Sequence, residues 1–346
     1  MRRSRKSPAH FLLRWPPYRW QSARVAADIA ILEEAYRLQA EGRDADALAT
    51  VERGVADGNP FAFFVLGDWR LRGVLGPRDT AQARTYFSQA SDAGMPTAHN
   101  FYTNLLAAGI GGEPRWSQAI SRLRMEAAHD PRRQAVLRLV EAMDVDDLGR
   151  PGHLPAEEAL CESPEVRFFP RLFSPAECAY LIAAAQDEFR PSTVTPRLGS
   201  PEYFDAARNS EGSTLHWLIA DPAVHALNKR LAAASGTPIE CGEPLHILRY
   251  AIGQEFRTHM DSSAGIANQR IKTALVYLND DYEGGETSFP KANLIVRGHT
   301  GDALIFRNAS DEGIPDEMSS HAGLPVTAGV KLLASRWIRK HRYEGD

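Results

Sequence analysis

The sequence predicts an α+β protein of two domains, with an all-α amino-terminal half and a carboxy-terminal half of short antiparallel strands. Three observations carry this. Residues 22–148 place apolar side chains at helical spacing and repeat themselves at a fixed interval. Residues 144–155, DVDDLGRPGHLP, break that pattern with Gly, Pro and acidic side chains. Beyond Glu240 the apolar residues fall in short β-branched or aromatic runs bounded by Gly, Asn, Asp and Pro. At 346 residues the chain is long enough for each half to bury a core of its own.

Residues 1–21 form a basic tail with Trp15, Tyr18 and Trp20 interleaved, read as a loosely packed extension. Val25, Ile29, Leu32 and Tyr36 then mark one face of a first helix that stops near Gly42. From Ala47 the sequence ALATVERGVADGNPFA aligns with ARTYFSQASDAGMPTA from Ala83, an offset of 36 residues that carries Gly58 to Gly94, Pro60 to Pro96 and Ala62 to Ala98. The same interval takes Ala83 to Ala119 and Gly73 to Gly109. Small residues at fixed positions let paired helices approach closely, and a Gly closes a helix in the left-handed conformation. The region resembles the Sel-like subclass of tetratricopeptide repeats over two to three units, the last departing from the pattern with Asp130 in place of Gly. That resemblance implies stacked helix pairs that present a binding face or pack on the next domain.

Residues 149–163 read as linker, with His153 solvated, and 164–346 as the second domain. FSPAECAYLIAAAQDEF opens as a helix: Ser174 and Glu177 make a capping box and Pro175 occupies the first turn. PLHILRY, IKTALVYLND, NLIVRG, DALIFRN and VKLLASRWIRK follow as strands of an antiparallel sandwich or barrel.

The formal net charge of −4 is slight and gives no global field for nucleic acid or membrane. Cys161, Cys178 and Cys241 are odd in number, widely spaced and without a C-x-x-C, which excludes a disulfide framework and fits a reducing compartment. With no apolar segment long enough for a signal core or a bilayer span, the expected location is cytoplasmic.

Candidate chemistry begins with EFRTHMDSS, where His259 and Asp261 stand two apart and would share one face of a strand. Alone, such a pair is more often a solvated strand face. His321 in SSHAGLPV offers a third ligand, which a barrel can bring near from a distant strand. Two His and one carboxylate are the ligand set of non-haem Fe(II) oxygenases, and zinc accepts them too. Lys331 separates the two: a Lys inside a barrel strand is costly to bury without a partner, and a dicarboxylate supplies one.

These residues lie in ordered blocks. LHILRYAIGQEFRTHMD, TALVYLNDDYEGGETSFP, GDALIFRN and SSHAGLPVTAGVKLLASRWIR, with Trp337 six residues after Lys331, resemble the catalytic domain of prolyl 4-hydroxylases, a branch of the Fe(II)/2-oxoglutarate dioxygenases, across residues 164–343. The resemblance implies a double-stranded β-helix (jelly roll) with flanking helices, and Fe(II) held by His259, Asp261 and His321. It implies 2-oxoglutarate and O₂ as co-substrates, with Lys331 and Tyr250 meeting the far carboxylate and Thr273 lining the pocket. It further implies ascorbate as reductant, Arg208 near the substrate groove and a protein or peptide substrate, with proline the family default. Met260 stands where members often carry His or an aromatic and is expected to point away from the metal; Glu286, in a Gly-rich turn, is read as structural. A helical adaptor whose oxygenase domain serves for interaction, and a zinc hydrolase needing neither Lys331 nor Tyr250, are the competing readings.

Overall fold

The computed structural model of the chain describes residues 23–192, 208–216 and 220–344; the basic tail lies outside them. The described residues form two compact units divided between Leu137 and Arg138. Among them no helix is long and apolar enough to cross a membrane.

The first unit is a run of antiparallel helices: α1 (Ala23–Ala40), α2 (Asp44–Ala56), α3 (Pro60–Arg72), α4 (Thr80–Asp92), α5 (Pro96–Ala108), α6 (Trp116–Ala127) and α7 (Pro131–Ala142), whose last residues fall in the second unit. The pairs α2/α3 and α4/α5 sit 36 residues apart, as the sequence repeat requires. Gly73 and Gly109 end α3 and α5 at φ 66° and 72°, where a side chain would strain the backbone. Ala47, Ala83 and Ala119, which the repeat aligns, are fully buried, as are Ala62 and Ala98. Asp130, where the repeat loses its Gly, instead accepts the Arg132 N–H at 2.8 Å and opens α7. A polar seam runs through the later helices. Arg122 donates to Ser91 at 2.5 Å and Thr103 at 3.2 Å; Glu126 accepts from Thr103 at 2.5 Å and from Arg133 Nε at 2.7 Å.

The second unit is built of β1 (Glu158–Glu162), β2 (Glu165–Phe169), α8 (Pro175–Ala185), β3 (Arg190–Pro191), β4 (Glu211–Leu215), α9 (Pro222–Ser235), β5 (Leu245–Tyr250), β6 (Phe256–His259), β7 (Arg270–Tyr277), β8 (Glu283–Gly284), β9 (Thr287–Phe289), β10 (Leu294–Val296), β11 (Ala303–Arg307), β12 (His321–Gly323), β13 (Val326–Ala328) and β14 (Lys331–Arg339). A large antiparallel sheet has the order β1-β2-β11-β7-β14-β5-β4-β3, a smaller one the order β10-β9-β12-β6, and β13 pairs with β8. The five runs read as strands are β5, β7, β10, β11 and β14. The stretch expected to be linker instead contributes β1, an exposed edge strand whose polar sequence EALCE carries no alternation to announce it. The capping box of α8 is present, and its Glu177 also takes both arms of the buried Arg230 at 2.7 and 3.0 Å.

The core of this unit lies between the two sheets, where Leu248, Leu275, Tyr277, Leu304, Phe306 and Leu333 of the large sheet meet Phe289 and Val296 of the small one. Phe289 sits edge-on to Phe306 at 5.1 Å, and Tyr277 Oη lies 3.0 Å from Thr287 Oγ1. Cys178 and Cys241 are buried and Cys161 half-buried, all unpaired as thiols. His153 is exposed, 3.1 Å from Asp144.

The seam in the first unit generates a stability prediction. Glu126→Ala leaves the buried Arg133 guanidinium without its carboxylate, and breaking a buried pair this way costs about 3 kcal/mol or more. Hydrogen exchange on the full chain is expected to show faster opening of α5, α6 and α7, with the β-sheet amides unchanged.

Candidate active site

A cleft, part of it open to solvent, lies between the sheets and carries the candidate site residues Arg208, Tyr250, His259, Asp261, Thr273, His321 and Lys331. The small sheet brings the two imidazoles together. β12 runs antiparallel beside β6 with His321 directly opposite His259, and the rings stand 4.3 Å apart. The sequence allowed a barrel to bring the two together from distant strands; the structure makes them directly opposed neighbours on adjacent strands.

Asp261 differs from its expectation as well. β6 ends at His259, so the carboxylate follows a bend and does not continue a strand face. Thr273 on β7 fixes it there by donating to Oδ2 at 2.6 Å, and Asn308 Nδ2 donates to the same hydroxyl at 2.8 Å. Asp261 Oδ1 lies 3.7 Å from His259 Nε2, and Oδ2 lies 3.8 Å from His321 Nε2. One ligand atom from each of the three falls within 4.8 Å of the others, and Glu286 stands outside this group, 3.6 Å from Arg297. Met260 is not among the side chains that line the cleft.

The donor atoms fit a cation. His259 Nδ1 donates to the Arg257 carbonyl at 2.8 Å and His321 Nδ1 to the Ser319 carbonyl at 3.0 Å, so both protons sit on Nδ1 and both Nε2 lone pairs face Asp261. Burial, with His321 beside it, holds His259 far below the usual imidazole range, so it stays neutral. Burial pushes the Asp261 carboxyl upward, while Arg270 and the Thr273 hydroxyl pull it down and favour its ionised form. Phe256 stacks on His259 at 3.5 Å between ring centres, and Arg208 covers Phe256 at 5.0 Å.

The large sheet supplies a cation of its own. Lys331 opens β14 opposite Tyr250 of β5 and is only 3% exposed. Its Nζ donates to the Gly285 carbonyl at 2.6 Å and lies 5.6 Å from the ring centres of Tyr250 and Tyr277. Burial lowers it from 10.5 to about 8. Gly285, at φ +69°, brings that carbonyl close; a Cβ there would lie 3.1 Å from Lys331 Cδ. The Gly-rich turn therefore touches the site through its backbone, a contact invisible in the sequence. Asn308 and Phe256 were equally unmarked, because nothing local distinguishes a polar strand end or an apolar strand residue that happens to meet a ligand.

A model of the 2OG-Fe(II) oxygenase superfamily matches residues 245–339, from β5 to the end of β14. Prolyl 4-hydroxylase 1 of Arabidopsis thaliana is 34% identical over 202 residues, covering 53% of this chain and 71% of that protein. The chain belongs to the prolyl 4-hydroxylase family of 2OG-Fe(II) oxygenases. The probable prolyl 4-hydroxylase 10 of the same plant is 31% identical over 211 residues, 54% of this chain and 73% of the relative. Among solved structures, the viral collagen prolyl hydroxylase of Paramecium Bursaria Chlorella virus-1 in its 2OG complex has 26% identity, covers 52% of this chain and 99% of that one, and gives a TM-score of 0.41. As a family member the chain is a 2-oxoglutarate-dependent dioxygenase, and Fe(II), 2-oxoglutarate and O₂ are the groups its chemistry calls for.

For this prolyl 4-hydroxylase relative, the burial of Lys331 has a measurable cost. Keeping it charged at pH 7 against a shift from 10.5 to about 8 costs about 3 kcal/mol. Lys331→Met keeps the length and removes that cost, but strips the Gly285 carbonyl of its donor, worth about 1–3 kcal/mol. Ligand-free Lys331→Met is expected to be more stable than wild type by about 1 kcal/mol. The gain is full below pH 8, shrinks as pH rises through 8, and turns into a loss by about 10.5, where the lysine becomes neutral in both folded and unfolded chains and only the lost Gly285 contact remains. Thermal unfolding of both proteins at pH 7 and pH 10.5 checks the sign.

Proposed function

We propose that this chain hydroxylates proline in a protein or peptide while converting 2-oxoglutarate to succinate and CO₂. The observation that carries the reading is Lys331, a cation buried in an apolar inter-sheet cleft that also holds two imidazoles and a carboxylate. In this reading His259, Asp261 and His321 hold Fe(II), leaving other coordination positions open. Fe(II) supplies the redox chemistry that activates O₂. The rest is the protein's part.

Lys331 has three N–H donors and Gly285 uses one, so two remain for the far carboxylate of 2-oxoglutarate. Tyr250, paired with it across the strands, meets the same end. Leu248, Leu275 and Leu333 wall the co-substrate from water, which strengthens the ion pair. Thr273 lines that pocket with its hydroxyl turned to Asp261. Arg208, at the cleft beside Phe256, faces the substrate side. Ascorbate serves as the reductant that keeps the metal in its ferrous state. The helical unit is a Sel-like repeat array that recruits the protein substrate; its fixed 36-residue interval and the fully buried small residues at aligned positions support this.

Two experiments test the site. Mn(II) titration of His259→Ala, Asp261→Ala and His321→Ala is expected to show loss of tight metal binding with the fold retained. Succinate release with Fe(II) should fall to background, and mass spectrometry of a proline-rich peptide incubated with the wild type should show +16 Da on proline. Wild-type metal affinity in His259→Ala would overturn the assignment.

The second concerns pH. Only the protonated lysine pairs with a dicarboxylate, so apparent affinity scales with the protonated fraction. With Lys331 brought down to about 8, affinity for 2-oxoglutarate is expected to be flat below pH 8 and to fall toward tenfold per pH unit above it. Lys331→Arg, weaker because its planar fork has a different reach, should show no such fall. Calorimetric titration of 2-oxoglutarate into the Mn(II)-loaded proteins between pH 7 and 9.5 reads both curves.

A further inference from the structure

The relay behind Asp261 leads to a residue that no part of the site's assignment uses. Asn308 follows β11, is completely buried, and touches both segments that carry the candidate ligands. Its side chain acts on the first. Nδ2 donates to Thr273 Oγ1 at 2.8 Å, which occupies a lone pair of that hydroxyl and leaves its single proton for Asp261 Oδ2 at 2.6 Å. The direction of the relay follows from that geometry, because an amide N–H₂ can only donate and the hydroxyl has a single proton to give. Asp261 is left with Oδ1 as the oxygen not engaged by Thr273.

The backbone of Asn308 touches both segments. Its carbonyl accepts Ser262 Oγ at 2.9 Å, next to Asp261, and the Asp316 N–H at 2.9 Å. Asp316 in turn caps the turn before β12, accepting the Met318 N–H on Oδ1 at 2.9 Å and Ser319 Oγ on its carbonyl at 2.6 Å. The Ser319 carbonyl is the group that orients His321 through Nδ1 at 3.0 Å. One side of Asn308 thus sets the carboxylate, and the other leads bond by bond to the imidazole. Its own N–H is held by the Ile271 carbonyl at 2.8 Å, which ties the residue to β7 beside Thr273.

We infer that Asn308 is a positioning residue for the metal centre, and that it acts on Asp261 through the Thr273 hydroxyl. This rests on the metal-centre reading above. It gives Thr273 a different task from co-substrate binding: orienting a ligand and fixing which of its oxygens is available.

Groups that hydrogen-bond metal ligands typically change metal affinity by about 10–100-fold when removed. The probe is Mn(II) alone, titrated into the full chain freed of metal, with Co(II) absorption as a spectroscopic check on ligand geometry. Thr273→Val, which keeps the shape and loses the hydroxyl, is expected to weaken Mn(II) binding about tenfold and to alter the Co(II) bands. Thr273→Ser should stay close to wild type. Asn308→Ala should weaken Mn(II) about as much as Thr273→Val, and the double variant should be no weaker than the stronger single, because the amide works only through that hydroxyl. A residue serving structure alone would lower the thermal midpoint and leave the metal titration unmoved; that result in Thr273→Val, or additive losses in the double variant, overturns the inference. If Asn308→Ala does not fold, Thr273→Val against Thr273→Ser decides. His259→Ala in the same titration separates the two readings: unchanged Mn(II) affinity there removes the metal centre itself, whereas loss there with Thr273→Val unchanged removes only the relay.

Discussion

The second unit depends on the antiparallel pairing of β6 with β12. That pairing sets His321 opposite His259 at the head of the small sheet, and the neighbouring pairings carry the consequence outward. β9 pairs with β12 on its other side, which brings Phe289 against Phe306 and closes the small sheet over the large one. A shift of one residue in the register of β12 would send the imidazole to the opposite face of its sheet. The aromatic contacts from Phe306 and Phe289 to His321, at 4.6 and 5.8 Å, hold the ring against that slip.

Placing polar groups between two sheets is costly, and the structure offsets much of that cost locally. Both imidazoles give their Nδ1 protons to backbone carbonyls of their own chain segment. Asp261 takes a hydroxyl, and Lys331 takes a carbonyl from the Gly-rich turn. Behind them Arg270 pairs with Glu243 at 2.6 and 2.8 Å while lying 4.1 Å over the Trp337 ring, so even the charge that helps keep Asp261 ionised is itself neutralised. Among the groups that stay incompletely matched are the charge on Lys331 and the three converging ligand atoms. Those are the groups a dicarboxylate and a divalent cation would complete. Stability is given up at the points where the co-substrate and the metal would restore it.

The helical unit solves a different problem with different means. Ala47, Ala83 and Ala119 are buried at a fixed interval, the rings of Phe64, Phe87 and Phe101 pack together, and small-residue contacts alone do little to set one helix pair apart from the next. The Arg122–Thr103–Glu126–Arg133 seam supplies that distinction, because each member is satisfied in only one arrangement of α4 to α7. The seam lies in the later helices, where the sequence repeat weakens at Asp130 and side-chain pairing takes over from small-residue packing.

Much of this was legible in the sequence, for physical reasons that differ by feature. Helix periodicity, the 36-residue interval, the capping box at Ser174 and the long apolar strands are local patterns, and local hydrogen bonding and burial enforce them. His259, Asp261, His321 and Lys331 could be singled out as candidates because charged and imidazole groups are conspicuous among apolar strands, whereas Tyr250, Thr273 and Arg208 followed only from the family resemblance. The short strands β1, β8, β9, β12 and β13 were not named, since they lack the apolar runs that mark the equally short β10 and β11. Nor could the sequence say that Asp261 lies beyond its strand, that His321 is a neighbour and not a partner across the lumen, or that Thr273, Asn308 and the Gly285 carbonyl hold the charged groups. Those depend on pairings between segments 12 to 62 residues apart. The sequence alone determined which chemical groups are present and which segments carry them; the tertiary structure decided which groups meet, because strand register and the packing of two sheets set distances that no local pattern contains.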